Sequence, residues 1–420
     1  MHADGLDLAP FSGLRYVPER VGDLASVTSP PYDVVVRPDG LHHLEVADPH
    51  NIVRLILPQA TEPAAGHRKA AETLHRWREK GVLAQDPRPA LYVYEQSRPG
   101  VLQRGLIGAL RLTPPEDGVV LPHEDVVPEI VADRTALMRE TAANLEPLLL
   151  SYRGGADTET GAAAVIERTA RRRPLLAITT EDGFRHRLWA VTEEAHIAEA
   201  VADLSRRRAL ISDGHHRWAT CLRLSRETGG APPWDRGLVL LVDSARYPLR
   251  VQAIHRLLPR LSPAVAVEQL AGAFRVRTLP DATTAQALAA LEETAGTAFV
   301  LAGRGPFLLL DRPDGVLLER TVRTDRPEAW RRLDATVLHS VLLDAVWKVP
   351  DHPEDIGYLH DADAAVDQAR RHGGTAVLMR AVTEDTVREL AEQGITMPRK
   401  STSFGPKPAT GLVLRTLDPG

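Results

Sequence analysis

Cysteine is almost absent from the chain: Cys221 is the only one in 420 residues. One thiol excludes an internal disulfide and fits a reducing compartment. Aromatic residues are sparse, at 5%, and no basic run is interleaved with them. The net charge is −5 and the pI is near 6.4. That balance lacks the footprint of a nucleic-acid binder, and no nucleic-acid partner is expected. Long uncharged apolar runs are missing too, so no membrane association is expected. The N-terminal MHADGLDLAP has no basic-then-apolar export pattern, and the expected location is cytoplasmic. Nothing in the composition speaks to oligomeric state.

What is there is ordinary globular material, 43% hydrophobic and 25% charged, long enough for two domains. The expected fold class is mixed α/β. Residues 1–260 read as an α/β core, and 261–420 as a C-terminal α/β domain whose final loop, 397–411, is expected to return to the functional site. An amphipathic helix is expected over 63–80, with Leu74 and Trp77 on its apolar face. The runs LYVYE and GLIGALRL read as paired strands, and GLVLLVD (237–243) as a central one. A buried strand is expected in NIVRLILP (51–58), one strand across LRVQAIHR, and a helix over about 131–145. Beyond Pro263 the texture predicts α-α-β-β-β, with GVLLER as the last strand. A helix over 334–347 and a β-α-β-α series follow.

The chain is organised around RALISDGHHRWATCLRLSRET, residues 208–228. Ala209–Ile211 read as a strand, Asp213–Gly214 as a turn, and His215 opens a segment of helical spacing. Trp218, Cys221 and Leu222 form its apolar stripe, which makes Cys221 a packed thiol rather than a nucleophile. Thr228–Gly229–Gly230 stop it with a left-handed cap. A strand that turns through glycine into a helix leaves unpaired N–H groups at a positive dipole end, which suits a phosphate. The plain alternative is an Asp-Gly turn with Asp213 as a cap and the histidines as buried polar residues. Asp213, His215, His216 and Arg217 within five residues favour a site. A histidine-held metal is disfavoured, because adjacent histidines do not face one ion and no ligand-spaced cluster follows.

Three further clusters carry polar chemistry. In SPPYDVV, two prolines hold Tyr32 and Asp33 at a fixed angle, or simply form a rigid connector with an exposed acid. His123–Glu124 precedes a charged helix and suits either acid/base work or a solvated loop. Near the end, MPRKSTSFGPK offers Lys400, Ser401, Thr402 and Lys407 in a proline-braced loop. It lacks the glycine frame of a Walker A motif, so it reads as a loose anion-holding loop or as a basic tail.

SPPYDVV, HED before a helix, DGHHRWAT, LDATVLH and MPRKSTSFGPKPATGL occur in that order along nearly the whole chain. Together they resemble the domain-of-unknown-function 1015 family. The chain departs from that pattern at Arg399, where proline is usual, and near Ser403 and Gly405, where aromatics are usual. The Asp213–Arg217 turn alone is similar to the phosphate-gripping turn of the ParB/sulfiredoxin superfamily, which includes kinases of free serine. Sulfiredoxin itself has a cysteine in this turn where the chain has histidines, which disfavours its chemistry. The resemblance implies a ParB/sulfiredoxin-like phosphate-binding core elaborated by further strands and helices.

The expected function is therefore a nucleotide-dependent phosphotransferase acting on a small hydroxyl metabolite, with free L-serine the first candidate. ATP or ADP is the expected donor and Mg²⁺ the expected cofactor. Gly214, His215, His216 and Arg217, with Lys400, Ser401, Thr402 and Lys407, are the expected phosphate holders. Asp213 is expected to bind the metal or act as base, with Asp33 or Glu124 as a second catalytic acid. The rival is a non-catalytic, nucleotide-responsive regulatory protein. It would keep the phosphate turn but not need a hydroxyl-directed acid, so the position of Asp33 or Glu124 relative to Asp213 separates the two.

Overall fold

The computed structural model describes residues 5–35, 38–156 and 159–418. It divides into two compact units: residues up to Leu249 together with Pro406 onward, and Arg250–Gly405. Both are mixed α/β. No helix among the described residues is long and apolar enough to cross a membrane.

The first unit is built on a nine-stranded sheet. Its strands are β1 (Leu8–Ala9), β2 (Leu91–Arg98), β3 (Val101–Arg111), β4 (Val120–Leu121), β5 (Leu148–Tyr152), β6 (Leu176–Thr179), β7 (Arg185–Val191), β8 (Ala209–Asp213) and β9 (Arg236–Asp243). They lie in the order β4-β8-β5-β9-β3-β2-β7-β6, with β1 paired to β3. β9 lies between β5 and β3, buried from Gly237 to Asp243, as a continuous apolar run requires. Helices α1 (Pro63–Glu79), α2 (Pro128–Thr141), α3 (Gly161–Ala170), α4 (Glu194–Leu204) and α5 (His215–Glu227) belong to the same unit. Val93, Leu106, Leu150, Trp189, Ile211, Trp218 and Val239 lie in one continuous core cluster.

Two expectations fail here for local reasons. Residues 53–56 form a short helix, not a strand. Asn51, fully buried, accepts from the Val53 N–H at 2.9 Å and donates to the Ser26 and Thr28 carbonyls, so its side chain nucleates a turn. The helix expected over 131–145 starts at Pro128 and stops at Thr141, where Ala142 turns left-handed.

The second unit has a six-stranded sheet of β10 (His255–Leu258), β11 (Arg275–Leu279), β12 (Phe299–Ala302), β13 (Phe307–Asp311), β14 (Gly357–Leu359) and β15 (Thr375–Leu378). The order is β11-β13-β12-β15-β10-β14. β11 falls between the two helices that were expected to be consecutive. It is an edge strand whose Arg275 and Arg277 reach Asp311, so it shows no apolar run. GVLLER is helical over Gly315–Thr321 because the Asp314 carboxylate caps it through the Leu317 N–H at 2.7 Å. LRVQAIHR is two strands: Arg250–Gln252 pairs with Ser403–Gly405, and β10 joins the main sheet. The segment 334–347 starts as an α-helix and widens to i→i+5 turns over Leu338–Val346.

Candidate functional site

The site starts where β8 ends. Its register against β5 shifts between Ile211 and Asp213, a bulge that re-aims the last side chain of the strand. Gly214 follows at φ +97°, and α5 begins at His215. A Cβ at Gly214 would lie 3.1 Å from Arg217 Nε. The missing side chain lets Arg217 fold back over the first turn of its own helix. There its Nη2 donates to Asp213 Oδ2 at 2.5 Å and its Nη1 to the Pro147 carbonyl at 2.8 Å. Its Nε–H is buried and has no acceptor among the described residues.

Two remote segments complete the cluster. Ser29 and Thr410 exchange backbone hydrogen bonds of 3.1 and 2.8 Å, which ties the SPPYD segment to the C-terminal segment. The latter is held to the sheet by Gln96 Nε2 donating to the Pro406 carbonyl and the Ala409 N–H donating to the Tyr94 hydroxyl. Lys407 is thereby placed between two acids. Its ammonium lies 2.6 Å from Asp213 Oδ1 and pairs closely with Asp33 Oδ2. The side chains of Asp213, Lys407 and Asp33 are 10%, 20% and 36% exposed, so the cluster opens to solvent at Asp33.

Neighbouring charges divide the two carboxylates. Burial pushes Asp33 up, but Lys407 and Arg217 outweigh it and hold the carboxyl below its usual range. Burial and then the Asp33 charge raise Asp213, against Lys407 and Arg217. Lys407 is lowered by burial but raised overall by the two acids. Arg217 stays charged: burial opposes it, and Glu146, Asp213 and Asp33 overcome that.

His215 and His216 pin a loop. The His123 N–H donates to His215 Nε2 at 3.2 Å and the Val127 N–H to His216 Nε2 at 3.0 Å. Both rings therefore accept at Nε2, which leaves Nδ1 as the protonated nitrogen of the neutral form. Burial and then the neighbouring His123 keep His215 well below the ordinary histidine value. Glu124 lies in that pinned loop, next to His123. Asp33 shares Lys407 with Asp213.

The Mg²⁺ site expected at Asp213 does not fit this arrangement. Both Asp213 oxygens are engaged by cations, and Lys407 takes the position between the carboxylates that a divalent ion would need. No group of three His, Cys, Asp or Glu side chains able to hold a metal occurs among the described residues. Lys400, Ser401 and Thr402 belong to the second unit, so the final motif divides between the units after Gly405.

Sequence reasoning passed over Glu146. It is buried, accepts from the Tyr32 N–H at 2.9 Å and is raised by burial against the pull of Arg217. A lone acid entering the apolar run LEPLLL was the available signal. Arg134 also stacks over the Tyr32 ring, 4.8 Å from its centroid, and burial raises that phenol to about 12.

Fold and site define a mixed α/β protein with a charged cluster at a strand–turn–helix mouth. The chain belongs to the family described as protein of unknown function (DUF1015), whose profile matches residues 8–336. No curated protein matches it. Among solved structures, a free serine kinase in complex with AMP is similar at 18% identity and a TM-score of 0.35, over 68% of this chain and 83% of that one. A conserved hypothetical protein from Pyrococcus furiosus is similar at 17% identity and a TM-score of 0.34, over 68% and 87%. SbnI with C-terminal truncation, from Staphylococcus aureus, is similar at 9% identity and a TM-score of 0.35, over 70% and 82%. These likenesses are remote.

Proposed function

We propose that the protein is a nucleotide-dependent phosphotransferase acting on a small hydroxyl compound, with free L-serine as the first substrate to test. One observation carries the reading. Asp33 and Asp213 share the Lys407 ammonium, beside a helix N-terminus over which Arg217 holds an unpartnered Nε–H. Burial and neighbouring charges push the two carboxyls apart in acidity, the pattern that separates an acid/base residue from its partner.

The roles follow from that geometry. Phosphate oxygens of ATP or ADP accept from the first backbone N–H groups of α5 and from Arg217 Nε. Asp33, ionised and the most exposed member, accepts the proton of the substrate hydroxyl as the new O–P bond forms and the donor's P–O bond breaks. Lys407 and Arg217 neutralise the charge on the moving phosphoryl group. Asp213 positions both cations, and His215 and His216 accept from the His123 and Val127 N–H groups, which holds that loop against the helix.

The test is incubation of the purified protein with ATP or ADP, Mg²⁺ as the nucleotide's counter-ion, and a pool of hydroxyl metabolites including L-serine. Phosphorylated product is read by mass spectrometry. Asp33→Asn should lower turnover by roughly 10²–10⁴-fold while nucleotide still binds. Arg217→Ala should lose both. Nucleotide binding without any product by the wild type would favour the regulatory reading, and neither binding nor product would reject the site.

A further inference from the structure

Two sequence motifs, LDATVLH and the RKST part of the final stretch, are not used by the cluster described above. Both meet on Arg256 in the second unit. Arg256 stands on β10 and is 1% exposed. Its Nη1 donates to the Ile254 carbonyl. Its Nη2 donates to His339 Nε2 at 3.2 Å and to the Lys400 carbonyl at 3.0 Å. The Tyr358 ring covers the guanidinium, 4.8 Å from its carbon. Its Nε–H is buried without an acceptor, and no carboxylate pairs with it among the described residues.

A buried cation without a counter-ion is costly, and carbonyls and a ring face compensate only part of the lost hydration. Among the described residues no acid contacts this group, though the Asp351 charge acts on it from a distance. His255 accepts from the Met379 N–H at Nδ1 and His339 accepts from Arg256 itself. Burial and then Arg256 push both histidines down to about 4, so both stay neutral. Burial lowers Arg256 to about 10, with Tyr358 and Asp351 pulling the other way.

Two unusual backbone features converge on the same point. His339 lies in the wide-turned stretch Leu338–Val346, a helix form that is rare and concentrates at functional sites. Lys400, whose carbonyl takes the Arg256 bond, is left-handed at φ +56°, uncommon for a residue with a side chain.

We propose that Arg256, His339 and the Lys400–Thr402 turn form a second oxyanion site, which takes the phosphate or carboxylate group of a small metabolite. The anion accepts from Arg256 Nε, the orphaned donor, beside His339, whose ring is held by the same guanidinium. The exposed Lys400 ammonium closes over it, and Ser401 Oγ, which now donates to the Pro398 carbonyl, lies in the same turn.

The test follows imidazole NMR signals of the full-length, histidine-labelled protein during titration with inorganic phosphate or, separately, malonate. Sodium chloride at matched ionic strength is the control, and a His339→Gln sample assigns the His339 signal. Saturable shifts of His339 and His255 with one anion and not with chloride are expected, and the responding anion identifies the group bound. Arg256→Gln should abolish the shifts. Lys400→Gln, at an exposed position, should weaken binding several-fold and serves if the Arg256 variant does not fold. Signals that stay still with both anions, or follow chloride equally, would overturn the proposal and leave Arg256 as a clamp between β10 and the Lys400 turn.

Discussion

Replacing Lys407 by methionine keeps most of the stem's packing and removes only the ammonium that Asp33 and Asp213 share. Breaking a buried ion pair from one side costs about 3–5 kcal/mol, because the remaining charge is left desolvated. Asp33 is 36% exposed, so water screens part of that, and about 2–3 kcal/mol is expected at pH 7.5. The sign with pH follows from linkage. In the wild type Asp33 is held below its unfolded value. Its contribution is fully present above the unfolded pKa and is lost only as pH falls through the folded one. In the variant Asp33 loses its largest opposing charge and moves up, and Asp213, already raised, moves up further. The penalty is therefore full at neutral pH and shrinks as protons are taken up on acidification to about pH 5. Urea unfolding followed by circular dichroism at both pH values, with the transition of the first unit analysed separately, measures this. A penalty of equal size at both pH values, or none at pH 7.5, would refute the shared-ammonium account.

Gly214→Ala combines a left-handed backbone with a Cβ placed 3.1 Å from the Arg217 guanidinium, and should cost about 1–3 kcal/mol. Calorimetry should show lower nucleotide affinity in the same variant, and full affinity would mean that Arg217 does not hold the phosphate. Burial keeps His123 at about 3, His186 at about 4 and His215 low, so these groups take up protons more readily when unfolded. Their contribution is complete above the unfolded pKa of about 6.5 and is lost below it, by about 1 kcal/mol each near pH 5.5. Melting of the first unit should accordingly fall between pH 7.5 and 5.5, and a flat profile would count against neutral, buried rings.

The elements that carry the site were legible where the cause is local. Apolar Ala209–Ile211, then Asp213–Gly214, then a 3–4 spacing through Trp218 and Cys221 are enough to specify strand, turn and helix. Cys221 is buried, and burial pushes its thiol up to about 12, which agrees with a packed side chain. Expectations failed where a side chain decided the backbone. Asn51 turned an apolar run into a helical turn, and Asp314 capped GVLLER into a helix. Long-range contacts were out of reach in the same way. The sequence offered Asp33, Glu124 and Lys407 as separate clusters. That Lys407 meets both Asp213 and Asp33 is set by the Ser29–Thr410 pairing and by the hold of Gln96 and Tyr94 on the 406–409 segment.

That dependence couples the site to the architecture of its unit. The segment from Pro406 onward returns to the first unit after the whole second unit has intervened. It brings Lys407 to the two acids and, through Thr410, fixes the segment that presents Asp33. One stretch of backbone therefore supplies the ammonium that both carboxylates share. A chain lacking it would lose more than one side chain. Asp33 would lose its tether and its main opposing charge together, while Asp213 would keep Arg217, whose pairing is local to the helix mouth. The half of the cluster at the helix mouth, Asp213 with Arg217, is thus encoded by neighbours in sequence. The half made by Asp33 and Lys407 exists only in the completed fold.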